Sequence, residues 1–303
     1  MDYVDTHDAD EQLFYKVLFQ EGEPVVEYQT KQRMSNITTY IIIVVIMAIS
    51  FFPLYWIIVT SLKTKLDFLE FPPKMFFFKP TLSAYRNVFI RDKFYQYLFN
   101  SILIVSGSVI LSLVISTPAA YSLARFQSKW ADRIAMFVLG LRMFPPVAII
   151  LPIYFLFQML KLLDTHIALI LLYTLLNLPL TTWVLRAFIM EIPKEVEESA
   201  MLDGHSMLKI IWKVVIPLIK PGVIATAILS FMFSWNEFLF AYILASRSAK
   251  TAPVAAVTYV GMRDVRWAET TAASLSIVIP MIIILFIVQK HLVRGLTFGS
   301  VKG

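Results

Sequence analysis

Residues 197–217 read EESAMLDGHSMLKIIWKVVIP, a charged, helix-forming stretch broken by one glycine, in a chain that is otherwise mostly hydrocarbon. Of 303 residues 58% are hydrophobic and 16% charged, and the mean hydropathy is +0.71. Soluble domains carry roughly 25% charged residues, so the surroundings of this stretch read as membrane spans of about 20 apolar residues each. Just before it, Pro193 suits the first turn of a helix, where its missing N–H is not needed. Glu195, Glu197 and Glu198 then sit at the end the helix dipole favours for anions. Val196, Ala200 and Met201 follow the three-to-four spacing of an apolar stripe, predicting a short helix with one sticky face. Gly204 fits a left-handed C-terminal cap. Ser206 fits an N-cap, and Leu208, Ile211, Trp212 and Val215 predict a second amphipathic helix ending near Pro217. A competing reading, an interfacial helix lying on lipid, is opposed by three glutamates beside an anionic membrane.

Uncharged windows place six spans, at about residues 37–62, 97–123, 134–158, 166–188, 221–245 and 269–290. Arg142 interrupts the third and Glu237 the fifth. Each either lies near a helix end and pairs locally or belongs to a proton relay. Pro53, Pro118, Pro145, Pro146, Pro152, Pro179 and Pro280 predict kinks packed against neighbouring helices. The expected fold class is therefore an all-α membrane protein with six transmembrane helices, a long loop over 189–220 and a tail over 291–303. Residues 1–36 carry eight Asp or Glu against Lys16, Lys31 and Arg33. They lack the basic start and apolar middle of a signal peptide, and read as a solvated arm with one amphipathic helix around Glu11 to Phe19. Lys and Arg do not orient the chain, with 14 on the side of the termini and 12 on the other. Acidic residues differ, 14 against six, so the side away from the termini carries the whole net +6.

The absence of cysteine excludes disulfides, thiolate metal sites and cysteine nucleophiles. His7, His166, His205 and His291 are scattered without ligand spacing, so no metal site is expected. No glycines precede a lysine in the phosphate-cradling GxxxxGK[ST] pattern, so the chain is not its own ATPase. Serines and histidines form no nucleophile–base pair, which leaves a membrane enzyme without a catalytic constellation. An external motor follows, and the segment from Arg186 to Lys220, which holds this stretch, is where it would push.

Glu198-Ser199-Ala200, three residues, Gly204, nine residues, then Val214-Val215-Ile216-Pro217 resemble the EAA loop of ABC importer permeases, patterned EAA, three residues, G, nine residues, I-x-L-P. The spacing matches throughout, with Ser199, Val214 and Ile216 as conservative departures. From Ile37 onward the likeness continues in Pro80-Thr81-Leu82-Ser83-Ala84-Tyr85, Asn100-Ser101, Ala120 to Phe126, Trp235-Asn236-Glu237-Phe238 and Gly295 to Gly303, and points to the sugar-importer branch similar to maltose-type permeases.

That resemblance implies a type I permease fold whose EAA loop is a cytoplasmic coupling helix seated in an ATPase cleft. Both termini would then lie in the cytoplasm of a bacterial or archaeal inner membrane. It implies a second, homologous permease, two ABC ATPase subunits, an extracytoplasmic solute-binding protein and membrane lipid as partners, and no nucleic acid. The chain itself would bind no cofactor, ATP and Mg being used by the ATPases. The implied coupling residues are Glu198, Ser199, Ala200, Asp203, Gly204 and Pro217, with Gly299, Lys302 and Gly303 of the tail as a second contact. The implied function is saccharide import by alternating access, without catalysis by this chain.

Tyr154, Tyr173, Asn177, Trp235 and Asn236 offer the aromatic faces and polar groups that suit sugars, though each also reads as helix packing. The outward +6 suits an acidic oligosaccharide such as a uronate oligomer, or an acidic binding protein. Neutral sugars, polyols and glycerol phosphates stand as alternatives. A self-contained secondary transporter or channel is the alternative of another class.

Overall fold

The computed structural model describes residues 25–64, 66–68, 70, 75–126, 128–261 and 265–297. The helix expected at Glu11 to Phe19, and the tail contacts Gly299, Lys302 and Gly303, lie outside the described residues. The chain separates into residues 1–56 and 57–303, each taken by itself. In the first, helix α1 (Val25–Ser61) exposes every side chain from Thr39 to Leu54. A helix apolar all round its circumference is suited to lipid.

The second unit contains α2 (Ser83–Arg86), α3 (Tyr95–Arg125), α4 (Lys129–Gly140), α5 (Pro146–Met159), α6 (His166–Met190), α7 (Lys194–Leu202), α8 (Met207–Leu218), α9 (Lys220–Trp235), α10 (Leu239–Leu244), α11 (Ala252–Val257) and α12 (Trp267–Thr297). By length and composition four of the described helices can cross a membrane, or six if each of two bent pairs is one span.

The centre of this unit is α3, α6 and α9, and the sequence shows why they meet. Ser108, Ser112, Ser116 and Ala120 recur every fourth residue along α3, as do Gly222, Thr226, Ser230 and Ser234 along α9, and all are buried. Residues four apart share one helix face, and small side chains there let backbones approach closely. A Cβ added at Gly222 would lie 2.4 Å from the Phe188 ring of α6, so this contact admits only glycine without displacement. Polar groups seal the seam: Ser116 and Thr181 share a hydroxyl–hydroxyl hydrogen bond, and Asn177 Nδ2 donates to Ser234 Oγ at 2.8 Å. The chain then meets itself again through alanines, with Ala252, Ala255 and Ala256 of α11 buried against Ala268, Ala272 and Ala273 of α12.

Two of the expected spans are not single rods. After α4 a 3-10 turn (Leu141–Met143) and the pair Phe144-Pro145 turn the chain by 91° into α5. The stretch expected as 221–245 is broken at Asn236, Glu237 and Phe238 between α9 and α10. Prolines at 145 and 146 account for the first break, since Pro146 cannot donate a helical hydrogen bond and occupies the first position of α5.

At the end of the bundle carrying the α5–α6 turn, Asp164 (φ 58°) accepts backbone N–H bonds from Ser246, Arg247, Ser248 and Ala249 at 2.9 to 3.2 Å. Burial alone would raise its pKa, but these amides, Ser248 first, outweigh it and hold the carboxyl at about 2. Asn100 Nδ2 donates to the carbonyls of Ser248 and Lys250, and Ser101 Oγ accepts from Ala252 N. The Asn100-Ser101 pair thus tethers the segment between α10 and α11. Because the folded pKa lies below the ordinary 3.8, the stabilisation from Asp164 is whole above that value and is lost as pH falls through about 2. Asp164→Asn is expected to cost roughly 1–3 kcal/mol at neutral pH and to remove that part of the acid dependence, measured as the difference in thermal unfolding between variant and wild type from pH 7 to pH 2.

Candidate functional site

The glycine-broken stretch folds as two helices anchored by groups that its apolar pattern did not predict. Pro193 sits at the N-cap position of α7 rather than inside the first turn. Val196 and Met201 of the expected sticky stripe are 39% and 43% exposed, and the buried residue is Glu197 at 3%. The reason lies on α3. Tyr121 Oη donates to Glu197 Oε2 at 2.7 Å, and Arg125 Nε reaches both carboxylate oxygens at 2.9 and 3.0 Å. Arg125 Nη2 adds a second bond to Glu197 Oε1 and one to the Ile192 carbonyl at 3.1 Å. A buried carboxylate is tolerable only when paired and fully hydrogen-bonded, and this one is held by a forked guanidinium. Nearby, Arg186 of α6 pairs with Asp132 of α4 and donates to the Leu123 carbonyl at 3.1 Å, joining three helices at the same end of the bundle.

Gly204 has φ +78°, and the bonds Gly204 N to Met201 O (2.9 Å) and His205 N to Ala200 O (3.2 Å) make the Schellman closure of α7. Ser206 stands at the N-cap position of α8 but makes no side-chain capping bond. Within α8 the Ile216 N–H bonds to the Ile211 carbonyl, a π turn over Ile211–Val215 immediately before Pro217. Pro217 has no N–H to give, and widening the preceding turn accommodates it. The widened turn also shifts the inward face. Ile210, Ile211, Val215 and Ile219 are buried against Leu185 and Ile189, while Leu208 and Trp212 stay 65% and 45% exposed. Glu198, Ser199, Asp203, Gly204 and Pro217 are exposed together with Leu202 (90%), and Ala200 is half-buried.

A second feature lies where the two broken spans meet. Glu237 closes the start of α10: Oε1 accepts from Phe240 N at 2.9 Å, and Oε2 from Ala241 N at 3.2 Å and Tyr173 Oη at 2.8 Å. Arg142, in the 3-10 turn after α4, places its guanidinium 4.1 Å from the Phe233 ring centre. Both border a cavity of about 620 Å3 together with Tyr173, Asn177, Phe233 and Ser234. Of the residues singled out for a sugar path, Tyr173 and Asn177 come to this cavity and three do not line it. Trp235 is buried in a stack on Phe231 at 5.4 Å, with an Nε1 that has no hydrogen-bond partner among the described residues. Asn236 is exposed and donates to the Met232 carbonyl, and Tyr154 packs edge-on to Phe155. Among the described residues no group of three or more His, Cys, Asp or Glu could hold a metal ion.

Both features fall within residues 116–298, which match the sequence model of the family described as binding-protein-dependent transport system inner membrane component. The chain belongs to this family. It is a permease, a membrane component that does not itself catalyse a reaction. The permease is 38% identical over 253 residues to the sulfoquinovosyl glycerol transport system permease protein of Agrobacterium fabrum, covering 83% of this chain and 89% of that protein. It is 35% identical over 259 residues to the trehalose/maltose transport system permease protein of Thermococcus litoralis, covering 84% and 92%. Its fold is similar, with a TM-score of 0.72 at 21% identity, to a chain in the crystal structure of a bacterial ABC transporter involved in the import of the acidic polysaccharide alginate, covering 86% of this chain and 97% of that one. The permease therefore has the type I importer fold.

Residue patterning missed Arg125 and Tyr121 as partners of the glycine-broken stretch. The available signal was a single arginine closing a 31-residue uncharged run, 94–124, at the end of α3. Glu197→Ala is expected to cost about 3 kcal/mol by leaving the partly buried Arg125 without its carboxylate. The double replacement Arg125→Met with Glu197→Leu should recover most of that loss. Thermal unfolding of the purified permease checks both, and a double variant as unstable as the single one would show that the pair does not act as a unit.

Proposed function

We propose that this permease carries a saccharide from an extracytoplasmic binding protein into the cytoplasm, driven by ATP hydrolysis in partner subunits that push on α7 and α8. The observation that carries this reading is the mounting of α7. It is tied to α3 through the buried Glu197 and stopped by Gly204, and it presents Glu198, Asp203 and Leu202 outward. A helix so fixed transmits displacement to the spans instead of deforming. The partners are a second, homologous permease and two ABC ATPases, whose closure rocks the bundles between inward- and outward-facing states. Glu198 and Asp203 supply polar contact with the ATPase, Ser199, Ala200 and Gly204 allow close approach, and Pro217 ends the unit. Gly299, Lys302 and Gly303 form a second contact from the tail. In this orientation α7, α8 and both termini are cytoplasmic, and the Asp164 end faces outward. Support for a saccharide comes from the names of the relatives, which handle sulfoquinovosyl glycerol and trehalose or maltose, and from the aromatic and amide groups of Tyr173, Asn177 and Phe233 around one cavity.

A Cβ at Gly204 meets nothing within 4 Å in this chain, so bulk there clashes only with a partner, and the remaining cost is the left-handed backbone, about 1–2 kcal/mol. Asn tolerates that conformation. Gly204→Asn and Gly204→Leu are therefore both expected to co-purify with the ATPases as folded chains, with substrate-stimulated ATP hydrolysis reduced in the first and abolished in the second. Normal stimulation in Gly204→Leu would refute the coupling role, and ion-driven uptake by the purified chain alone in liposomes would place it among secondary transporters.

A further inference from the structure

Arg142 is the cation that borders the cavity at the two helix breaks. A guanidinium in such surroundings is costly unless a partner compensates it. The obvious partner is unavailable. Glu237 borders the same cavity, but its carboxylate already accepts from Phe240 N, Ala241 N and Tyr173 Oη. Among the described residues no carboxylate lies within ion-pair distance of Arg142, and none receives a hydrogen bond from it.

What Arg142 has is a platform. Its guanidinium lies 4.1 Å from the Phe233 ring centre, a cation–π contact that fixes the plane of the fork and leaves its N–H edge free. The chain break beside it lines the cavity at Phe144 and Pro146, so the start of α5, with its positive partial charge, opens on the same space. Phe144, which is exposed, adds an apolar face of the kind that packs against pyranose C–H groups.

In the outward loops Arg266 is paired with Asp92 and Glu269, and Arg91 with Asp92. Arg142 at the cavity has no such carboxylate among the described residues, so it is the cation placed to meet an anionic group of a substrate there. We infer that Arg142 binds an anionic group of the transported saccharide, a carboxylate or a sulfonate, by the two-pronged hydrogen bonding that a planar guanidinium offers two oxygens of a planar or tetrahedral oxyanion. This rests on the importer reading and names the substrate class for it.

The test uses the whole transporter, recovered by co-purification and reconstituted in proteoliposomes with its binding protein. Uptake of oligouronates and of a sulfonated glycoside is compared with uptake of the same oligosaccharides after carboxyl reduction and of the desulfonated glycoside. Wild type is expected to prefer an anionic form, and Arg142→Gln to lower the ratio of anionic to neutral uptake on the order of tenfold to a hundredfold. Arg142→Lys keeps the charge without the fork and is expected to retain part of the preference. A ratio unchanged in Arg142→Gln, a wild-type preference for the neutral forms, or equal loss of both forms in Arg142→Gln and Arg142→Lys overturns the inference and leaves the importer reading standing. Uptake of no saccharide in the panel, anionic or neutral, by the wild-type complex counts against both.

Discussion

Helices dissolved in hydrocarbon gain nothing by hiding apolar surface from their solvent, so what holds this bundle is close backbone approach and the hydrogen bonds that close approach permits. Everything else depends on that constraint. Small residues meet α6 along this seam: Ser108 and Ser116 of α3, and Gly222 and Ser234 of α9, lie against Thr174, Thr181, Phe188 and Asn177. The Ser116–Thr181 and Asn177–Ser234 bonds fix the register of these three helices, and the register fixes where Arg125, Tyr173 and Phe233 arrive.

From that register the two functional regions follow in opposite ways. At one end, Arg125 and Tyr121 emerge beside Glu197 and pair its carboxylate, which ties α7 to α3. Within the bundle, Glu237 is likewise consumed by its own helix start and by Tyr173, but Arg142 is left with an aromatic platform and no anion among the described residues. The same residue chemistry, a guanidinium and a carboxylate near low dielectric, gives a structural joint in one place and a recognition group in the other. The difference is whether the two charges reach each other.

The glycine-broken stretch shows how far patterning reaches. Gly204 as a left-handed cap was legible because few other residues tolerate φ +78°. The sticky stripe on α7 was legible, with Val196 and Met201 39% and 43% exposed, but the spacing could not show that an ion pair of Glu197 takes the buried position. In α8 the spacing argument assumed 3.6 residues per turn, and the π turn before Pro217 shifted the face by one position, bringing in Ile210 and leaving Trp212 outside.

By itself the sequence determined the class of the molecule, since only helices spanning hydrocarbon fit its composition, and it determined the family through a fixed spacing of short-range residues from Glu198 to Pro217. It also located every charge, including Arg142 and Glu237. Which charges pair, which helices break rather than bend, and which aromatics share a cavity were decided only by the tertiary structure. Those depend on distances between residues such as Tyr121 and Glu197, 76 positions apart, or Tyr173 and Glu237, 64 apart. No local pattern encodes such distances, because they are set by how three small-residue seams settle against one another.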